Sequence, residues 1–329
     1  MERHRFGNSD LTVSAIGLGC YGMSGVYGPA DDTESIATIR RALDLGVNFL
    51  DTSASYGNGH NHRLIGEAIK GRRHDMVIHS KSGSPRDGSG GGGDAGYLRE
   101  TCETSLRNLG IETLDVFCMS RIDPKVPVED SVAAMAALVK EGKTRFIALS
   151  ECSAESLRRG SAVHPLVSLQ MEYSLLSRDA EEQGQMAACK ALDMAMMAYA
   201  VLGRGLISAA PPRPESLGTN DVRTHLPRFA QANFEKNLVL RAALETMARR
   251  KGASLAQLAI AWTMAMGKRA GAFVVPIPGA KSRAHLEENI GAAAIELTEG
   301  DLAAIDRIAP PGAASGTRYR ESQMHRINA

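Results

Sequence analysis

Val47-Asn48-Phe49-Leu50-Asp51 and Met76-Val77-Ile78-His79-Ser80-Lys81 are short apolar runs, and each delivers a charged side chain at its carboxyl end. Between them, residues 62–70 carry a helical pattern that stops at Gly71. Strand, helix and strand in that order need a crossover, so the two strands are expected to be parallel. The rhythm continues along the chain. Candidate strands fall at 15–18, 47–50, 76–80, 114–119, 144–148, 166–170, 194–199 and 272–275, and helical stretches at 33–45, 62–70, 97–109, 128–140, 154–162 and 183–192. Asp32 and Ser153 offer helix starts, and Gly46, Gly71, Gly110 and Gly142 offer stops. Eight such strands fit a closed α/β barrel of the (β/α)8 TIM type, where active sites collect at the carboxyl ends of the strands. At 329 residues the chain can form one such barrel over 1–329, or two smaller domains.

Asp51 and Lys81 then stand where chemistry is done, and Tyr56 follows in Asp51-Thr52-Ser53-Ala54-Ser55-Tyr56-Gly57. A phenol with a pKa near ~10 is a poor acid at neutral pH. A nearby ammonium lowers that value and a carboxylate holds the ammonium, so the three residues form a candidate proton-donating site. Solvated polar residues in surface turns would share this spacing. The repetition of one arrangement at two strand ends favours the site.

Composition narrows the partners. Hydrophobic residues at 43% and charged residues at 23% are ordinary for a soluble globular protein. A net charge of +1 argues against nucleic acid or a membrane surface as the main partner, because both usually demand a basic excess. There is no long apolar span, and Met1-Glu2-Arg3-His4-Arg5 lacks the apolar stretch of a secretory signal. Cys20, Cys102, Cys118, Cys152 and Cys189 are scattered, which points to a reducing cytoplasm and no structural zinc. A small molecule is the expected partner, and the chain is expected to act as a monomer or small homo-oligomer.

Several other stretches carry weaker signals. Gly17-Leu18-Gly19-Cys20-Tyr21-Gly22 fits the dinucleotide spacing G-x-G-x-x-G. A genuine fingerprint opens directly into a helix. Here Gly25, Gly28 and Pro29 delay the helix to about Asp32, so a glycine-rich turn at a site mouth is the better reading. In Val274-Val275-Pro276-Ile277-Pro278-Gly279-Ala280-Lys281-Ser282-Arg283 a last strand gives way to a helix, which places Lys281 and Arg283 where helix amides already favour an anion such as the extra phosphate of NADP. A solvated basic helix start is the alternative. Tyr199 ends a strand before Leu202-Gly203-Arg204-Gly205, so its ring can stack on a flat cofactor while Arg204 meets phosphates. Ser150 and Gln170 also end strands and can hydrogen-bond a carboxamide. Residues 210–233, rich in proline and polar residues, suggest a lid or a linker before helical stretches at 234–250 and 254–266, and the glycine run at 88–93 suggests a flexible link.

Taken in order, Gly46 through Thr52, Tyr56-Gly57, Lys81, Leu149-Ser150-Glu151, Gln170-Met171-Glu172-Tyr173-Ser174, Tyr199 with Leu202-Gly203-Arg204-Gly205, and Pro276 through Gly279 to Glu288-Asn289 resemble the aldo-keto reductases over essentially the whole chain. The resemblance implies a barrel with an N-terminal β-hairpin and extra C-terminal helices. It implies NADP(H) and reduction of an aldehyde or ketone, with Tyr56 as proton donor supported by Asp51 and Lys81. It places Ser150, Gln170, Tyr199, Leu202, Gly203, Arg204, Gly279, Lys281, Arg283, Glu288 and Asn289 around the cofactor. One departure stands out. The family usually places a histidine before the Arg-x-Asp-Pro stretch, and this chain has Ser120 before Arg121-Ile122-Asp123-Pro124. Ala200-Val201 and Ser82 also depart, where the family often has Ser-Pro and Phe. His79 shares the inward face with Lys81 about 6–7 Å deeper, and Cys118 lies likewise beneath Ser120. A large residue at 79 against a small one at 118 suggests compensating volume, or an imidazole that has taken over part of the missing histidine's role. Acid–base elimination or isomerisation on the same Tyr56–Lys81 pair, and a nucleotide-binding sensor, are the competing readings.

Overall fold

The computed structural model describes residues 1–85 and 92–328; residues 88–91 of the glycine run lie outside the described residues. A short antiparallel hairpin comes first, β1 (Arg3–Arg5) against β2 (Thr12–Ser14). Eight parallel strands follow: β3 (Leu18–Gly19), β4 (Phe49–Asp51), β5 (Val77–Lys81), β6 (Leu114–Met119), β7 (Thr144–Ser150), β8 (Ser168–Glu172), β9 (Ala195–Tyr199) and β10 (Val274–Pro276), each beside the next in sequence order. The ring closes between its first and last strands. Gly17 N–H donates to Pro276 O at 2.9 Å and Gly19 N–H to Pro278 O at 3.1 Å. A Cβ on Gly19 would lie 2.7 Å from Ile277 O, so only glycine permits this approach.

Helices cover the outside: α1 (Asp32–Asp44), α2 (His60–Ala68), α3 (Ala95–Leu109), α4 (Val128–Lys140), α5 (Ala154–Val163), α6 (Asp179–Glu182), α7 (Gln185–Ala191), α8 (Gln231–Arg250), α9 (Leu255–Ala270), α10 (Arg283–Ile290), α11 (Glu299–Ile308) and α12 (Glu321–Met324). The expected barrel, hairpin and C-terminal helices are all present. Asp31 rather than Asp32 caps α1, accepting from Thr33 N and Glu34 N, and the stretch at 183–192 is helical from Gln185 to Ala191, its start set by Gly184 at φ 84°. Tyr21–Ser24 form a single tight turn and no long helix begins before Asp32, so the G-x-G-x-x-G match is the closing seam of the barrel. Segment 210–233 holds three short 3-10 turns and is pinned rather than loose: Arg228, buried, donates to Ser177 Oγ at 2.7 Å and to Leu176 O at 2.6 Å. Among the described residues no helix is long and apolar enough to cross a membrane.

Alternation along β5 decides what each side chain meets. His79 and Lys81 face the interior with Phe49, Val116, Cys118 and Met197, while Ser80 faces outward to α2. There Ser80 Oγ meets His62 Nε2 at 2.9 Å, and His62 Nδ1 has no partner. Burial, then the Lys81 charge, pushes the His62 pKa from 6.5 down to about 3. In the unfolded chain His62 protonates below 6.5, whereas the folded ring stays neutral down to about 3. Stability is therefore full above 6.5 and falls by up to about 1.4 kcal/mol per pH unit below it. Urea unfolding across roughly pH 7 to 5 is expected to show a shallower fall for His62→Gln than for the wild type. Parallel curves would show that His62 titrates alike in both states.

Candidate active site

Three side chains from two strands, β5 and β8, aim donors at one oxygen. Asp51 Oδ1, on β4, accepts from Lys81 Nζ at 2.5 Å, from Gln170 Nε2 at 2.7 Å and from the His79 Nδ1 side at 3.1 Å. Asp51 is 3% exposed and Lys81 5%, so the pair is held away from bulk water. Burial pushes the Asp51 carboxyl up, but the Lys81 ammonium and the His79 hydrogen bond outweigh it and hold it below the ordinary value. Burial in turn keeps His79 low, so its ring is neutral and Nδ1 carries the proton toward Asp51. Among the described residues His79 Nε2 has no partner, and His79 does not line the cavity above. Its reach into the site runs through Asp51 alone.

That cavity, about 890 Å³, opens at the carboxyl ends of the strands and includes Asp51, Tyr56, Lys81 and Ser120 in its wall. Lys81 Nζ lies 5.1 Å from the centre of the Tyr56 ring, and the Tyr21 ring packs against it with centroids 4.5 Å apart. The expected depression of the phenol is not what the protein produces. Burial and then the Asp51 carboxylate push Tyr56 well above its ordinary pKa, with Arg121 pulling the other way. The phenol therefore keeps its proton through the neutral range, as a donor must. Arg121 was not marked by the sequence; the only hint was its place one residue beyond the strand-end position that Ser120 fills.

Ser120 and Ser82, both departures from the usual pattern, tie two strand ends together. Gly83 N–H donates to Ser120 Oγ at 2.8 Å, and Ser120 N–H to Ser82 Oγ at 3.3 Å. Among the described residues the Ser120 hydroxyl proton has no acceptor, so it can turn into the cavity it lines.

The far side of the cavity is built from β7, β8, β9 and the seam. Ser150, Gln170, Tyr199, Leu202, Arg204, Gly279, Lys281, Glu288 and Asn289 line it. Gly203 does not; it turns the chain behind Leu202 with φ 56°. Arg283 does not either. Its guanidinium and backbone N–H are held by Glu34 at 2.9 Å, while His285 of the same helix faces the cavity. Lys281 donates to Pro29 O at 2.6 Å and has no carboxylate partner among the described residues. Ser150 Oγ is buried at the wall of the cavity, with no hydrogen-bond partner among the described residues. A buried hydroxyl left this way costs about 1–3 kcal/mol unless a ligand satisfies it.

Two buried carboxylates brace this side, and neither was singled out for this role. Glu151, held at φ 54°, accepts from Tyr199 Oη at 2.8 Å, from Glu172 N at 2.7 Å and from Arg318 at 3.1 Å. Glu172 pairs with Arg204 at 2.6 Å and Arg228 at 3.4 Å. Tyr319 bonds Tyr199 Oη at 2.7 Å, so the C-terminal segment fixes the ring expected to carry the cofactor. A strand-period reading finds no such residue, because 316–328 has no regular period.

Known proteins give the same picture. A profile of the Aldo/keto reductase family matches residues 15–310. The chain is similar to the glycerol dehydrogenase of Gluconobacter oxydans, with 26% identity, a TM-score of 0.81, and 94% of this chain and 96% of that one covered. It is also similar to the holo form of an aldo-keto reductase from Bacillus halodurans, with 25% identity, a TM-score of 0.76, and 98% and 100% covered. A third similar structure is an aldo/keto reductase from Klebsiella pneumoniae in complex with NADP and acetate, with 26% identity, a TM-score of 0.72, and 96% and 98% covered. A family match across 15–310 on an eight-stranded ring with Asp51 and Lys81 at strand ends and Tyr56 in the turn after β4 leaves one assignment: the chain belongs to the Aldo/keto reductase family.

Proposed function

We propose that the protein reduces an aldehyde or ketone with NADPH, with Tyr56 as the proton donor and Ser120 donating to the carbonyl oxygen where relatives place a histidine. The observation that carries this reading is the convergence of Lys81, Gln170 and His79 on Asp51 Oδ1 beneath Tyr56. The residues present suit the cofactor: the unpartnered Ser150 Oγ and the adjoining Gln170 suit its carboxamide, and the Tyr199 ring, held by Glu151 and Tyr319, suits its flat face. Lys281 suits a phosphate at the mouth. When bound, NADPH supplies the hydride that the carbonyl carbon accepts.

The chain's own residues do the rest. Ser120 Oγ is fixed by Gly83 N–H and turns its proton to the carbonyl oxygen, a neutral hydrogen bond. Tyr56 gives its proton to that oxygen as negative charge develops there. Lys81 lies against the Tyr56 ring and stabilises the phenolate left behind, and Asp51 keeps Lys81 in position. The walls exclude water from the reacting atoms, which strengthens each of these interactions.

Following NADPH absorbance with a broad carbonyl panel tests the reading. Carbonyl-dependent loss of NADPH is expected; NADPH that binds but is never consumed by any member would overturn it. The cofactor preference is expected to rest on Lys281 more than on Arg283, whose charge Glu34 already occupies. Lys281→Ala should weaken NADPH by about 10- to 100-fold, the worth of a charge-assisted phosphate contact. Fluorescence titration with NADPH and NADH checks this, and equal affinities in the wild type would remove it.

A further inference from the structure

We infer that the carbonyl substrate carries a carboxylate, and that Arg121, with Arg326 beside it, holds that group at the β5–β6 side of the cavity. The inference rests on the reductase reading and names the class of compound reduced.

The arginines around the cavity divide into two sets. Arg204 is spent on Glu172 at 2.6 Å and Arg223 on Asp221 at 2.6 Å, while Arg318, behind the wall, is spent on Glu151 at 3.1 Å. Arg121, Arg320 and Arg326 line the cavity and form no salt bridge among the described residues. Arg320 is exposed and donates to His225 O at 3.1 Å, away from Ser84 and Ser120, and the Glu151 carboxylate reaches Arg121 only through space. Arg121 Nη1 donates to Ser120 O at 2.5 Å and Nη2 to Tyr319 Oη at 3.2 Å, both neutral acceptors. Arg326 Nη2 donates to Ser84 Oγ at 2.9 Å. Lys81, the other cation at this end, is already paired with Asp51. A guanidinium whose hydrogen bonds go only to neutral acceptors keeps its charge available to a ligand, and a planar carboxylate matches its paired donors.

Position separates this charge from the cofactor's own anions. Ser150, Gln170 and Tyr199 lie on β7, β8 and β9, and Lys281 beyond β10, whereas Arg121 leaves β6 and Ser84, which holds Arg326, follows β5. Arg121 also lies close enough to Tyr56 to oppose the rise of its phenol. The charge that grips the substrate is thus beside the proton donor. Ser120 adds the space: its side chain stops short of where an imidazole would reach, next to the guanidinium. The reaction balances with nothing further. The carbonyl carbon takes a hydride, with its two electrons, from NADPH, the oxygen takes the Tyr56 proton, solvent reprotonates Tyr56, and a hydroxy acid leaves with NADP+.

The test compares 4-carboxybenzaldehyde with its methyl ester, which share the carbonyl and differ in charge. Both are titrated into NADP+-saturated protein, and both are assayed for NADPH consumption. Wild type is expected to bind the acid about 10-fold or more tightly than the ester, with a matching gap in kcat/KM. In Arg121→Gln that acid-to-ester ratio should collapse toward one, Arg326→Gln should reduce it in part, and Arg121→Lys should restore some of it. A wild-type ratio near one overturns the inference, as does a ratio that survives in both Arg121→Gln and Arg326→Gln. Arg121→Gln that weakens NADPH itself also overturns it, since the arginine would then serve the cofactor. If neither aldehyde is reduced while the acid still binds more tightly in an Arg121-dependent way, the reductase reading fails and the anion site stands.

Discussion

Tyr56→Phe is expected to lower carbonyl reduction by about 10²- to 10⁴-fold, the usual worth of a positioned general acid, while the protein still binds NADPH. The substitution removes one oxygen and keeps the ring, so the contacts with Lys81 at 5.1 Å and with Tyr21 at 4.5 Å survive. Single-turnover mixing of the NADPH complex with substrate isolates the chemical step from release. The pH dependence gives a second check. Because burial and Asp51 hold the Tyr56 phenol well above its ordinary value, reduction by the wild type should not fade for want of the Tyr56 proton anywhere near neutrality. If Tyr56→Phe retains most of the single-turnover rate, the proton comes from another group.

Asp51→Asn is expected to lower stability by about 3–5 kcal/mol, because one member of a buried ion pair is removed and the other stays. The amide keeps the shape of the carboxylate and an oxygen for the donors of Lys81, His79 and Gln170, so the loss isolates charge from geometry. Thermal and urea unfolding measure it, and a change under about 1 kcal/mol would place the pair in the class of solvated bridges. The pH dependence has a definite sign. The folded Asp51 pKa lies below its ordinary 3.8, so its contribution is present above that value and is lost as pH falls through the lowered one. The asparagine variant should lack that acid-side loss.

Much of this architecture was legible in the chain. Strands were placed within a few residues because apolar runs ending at Asp51, Lys81, Ser150, Gln170 and Tyr199 recur with helical spacers, and parallel pairing follows from the crossovers. Asp51 and Lys81 follow from the same rule and Tyr56 from its place five residues past Asp51, and the structure brings the three to one cavity wall. Arg283 shows where the rule stops. A basic residue at a helix start reads as an anion site, but Glu34 in α1 lies 249 positions away in sequence and takes its charge. Glu151, Arg318 and Tyr319 are invisible for the same reason: their meaning lies in a partner from a distant segment. The elevation of Tyr56 likewise comes from burial, which spacing does not report.

The closing seam has a consequence for how the chain reaches this state. Its hydrogen bonds join Gly17 and Gly19 to Pro276 and Pro278, so the ring stays an open sheet until the far end of the chain arrives. Contacts of such sequence separation form late, and an open sheet with two bare edges is the species most exposed to self-association. The edge at β10 is protected by its own chemistry. Pro276 and Pro278 carry carbonyls but no N–H groups, so two copies of this edge cannot exchange the paired bonds that would zip them together. β3 can complete the circle because it brings the donors, and because glycine lets it come close enough. The prolines that mark the last strand in the sequence thus discourage a wrong partner during folding and leave the right one a place to bind.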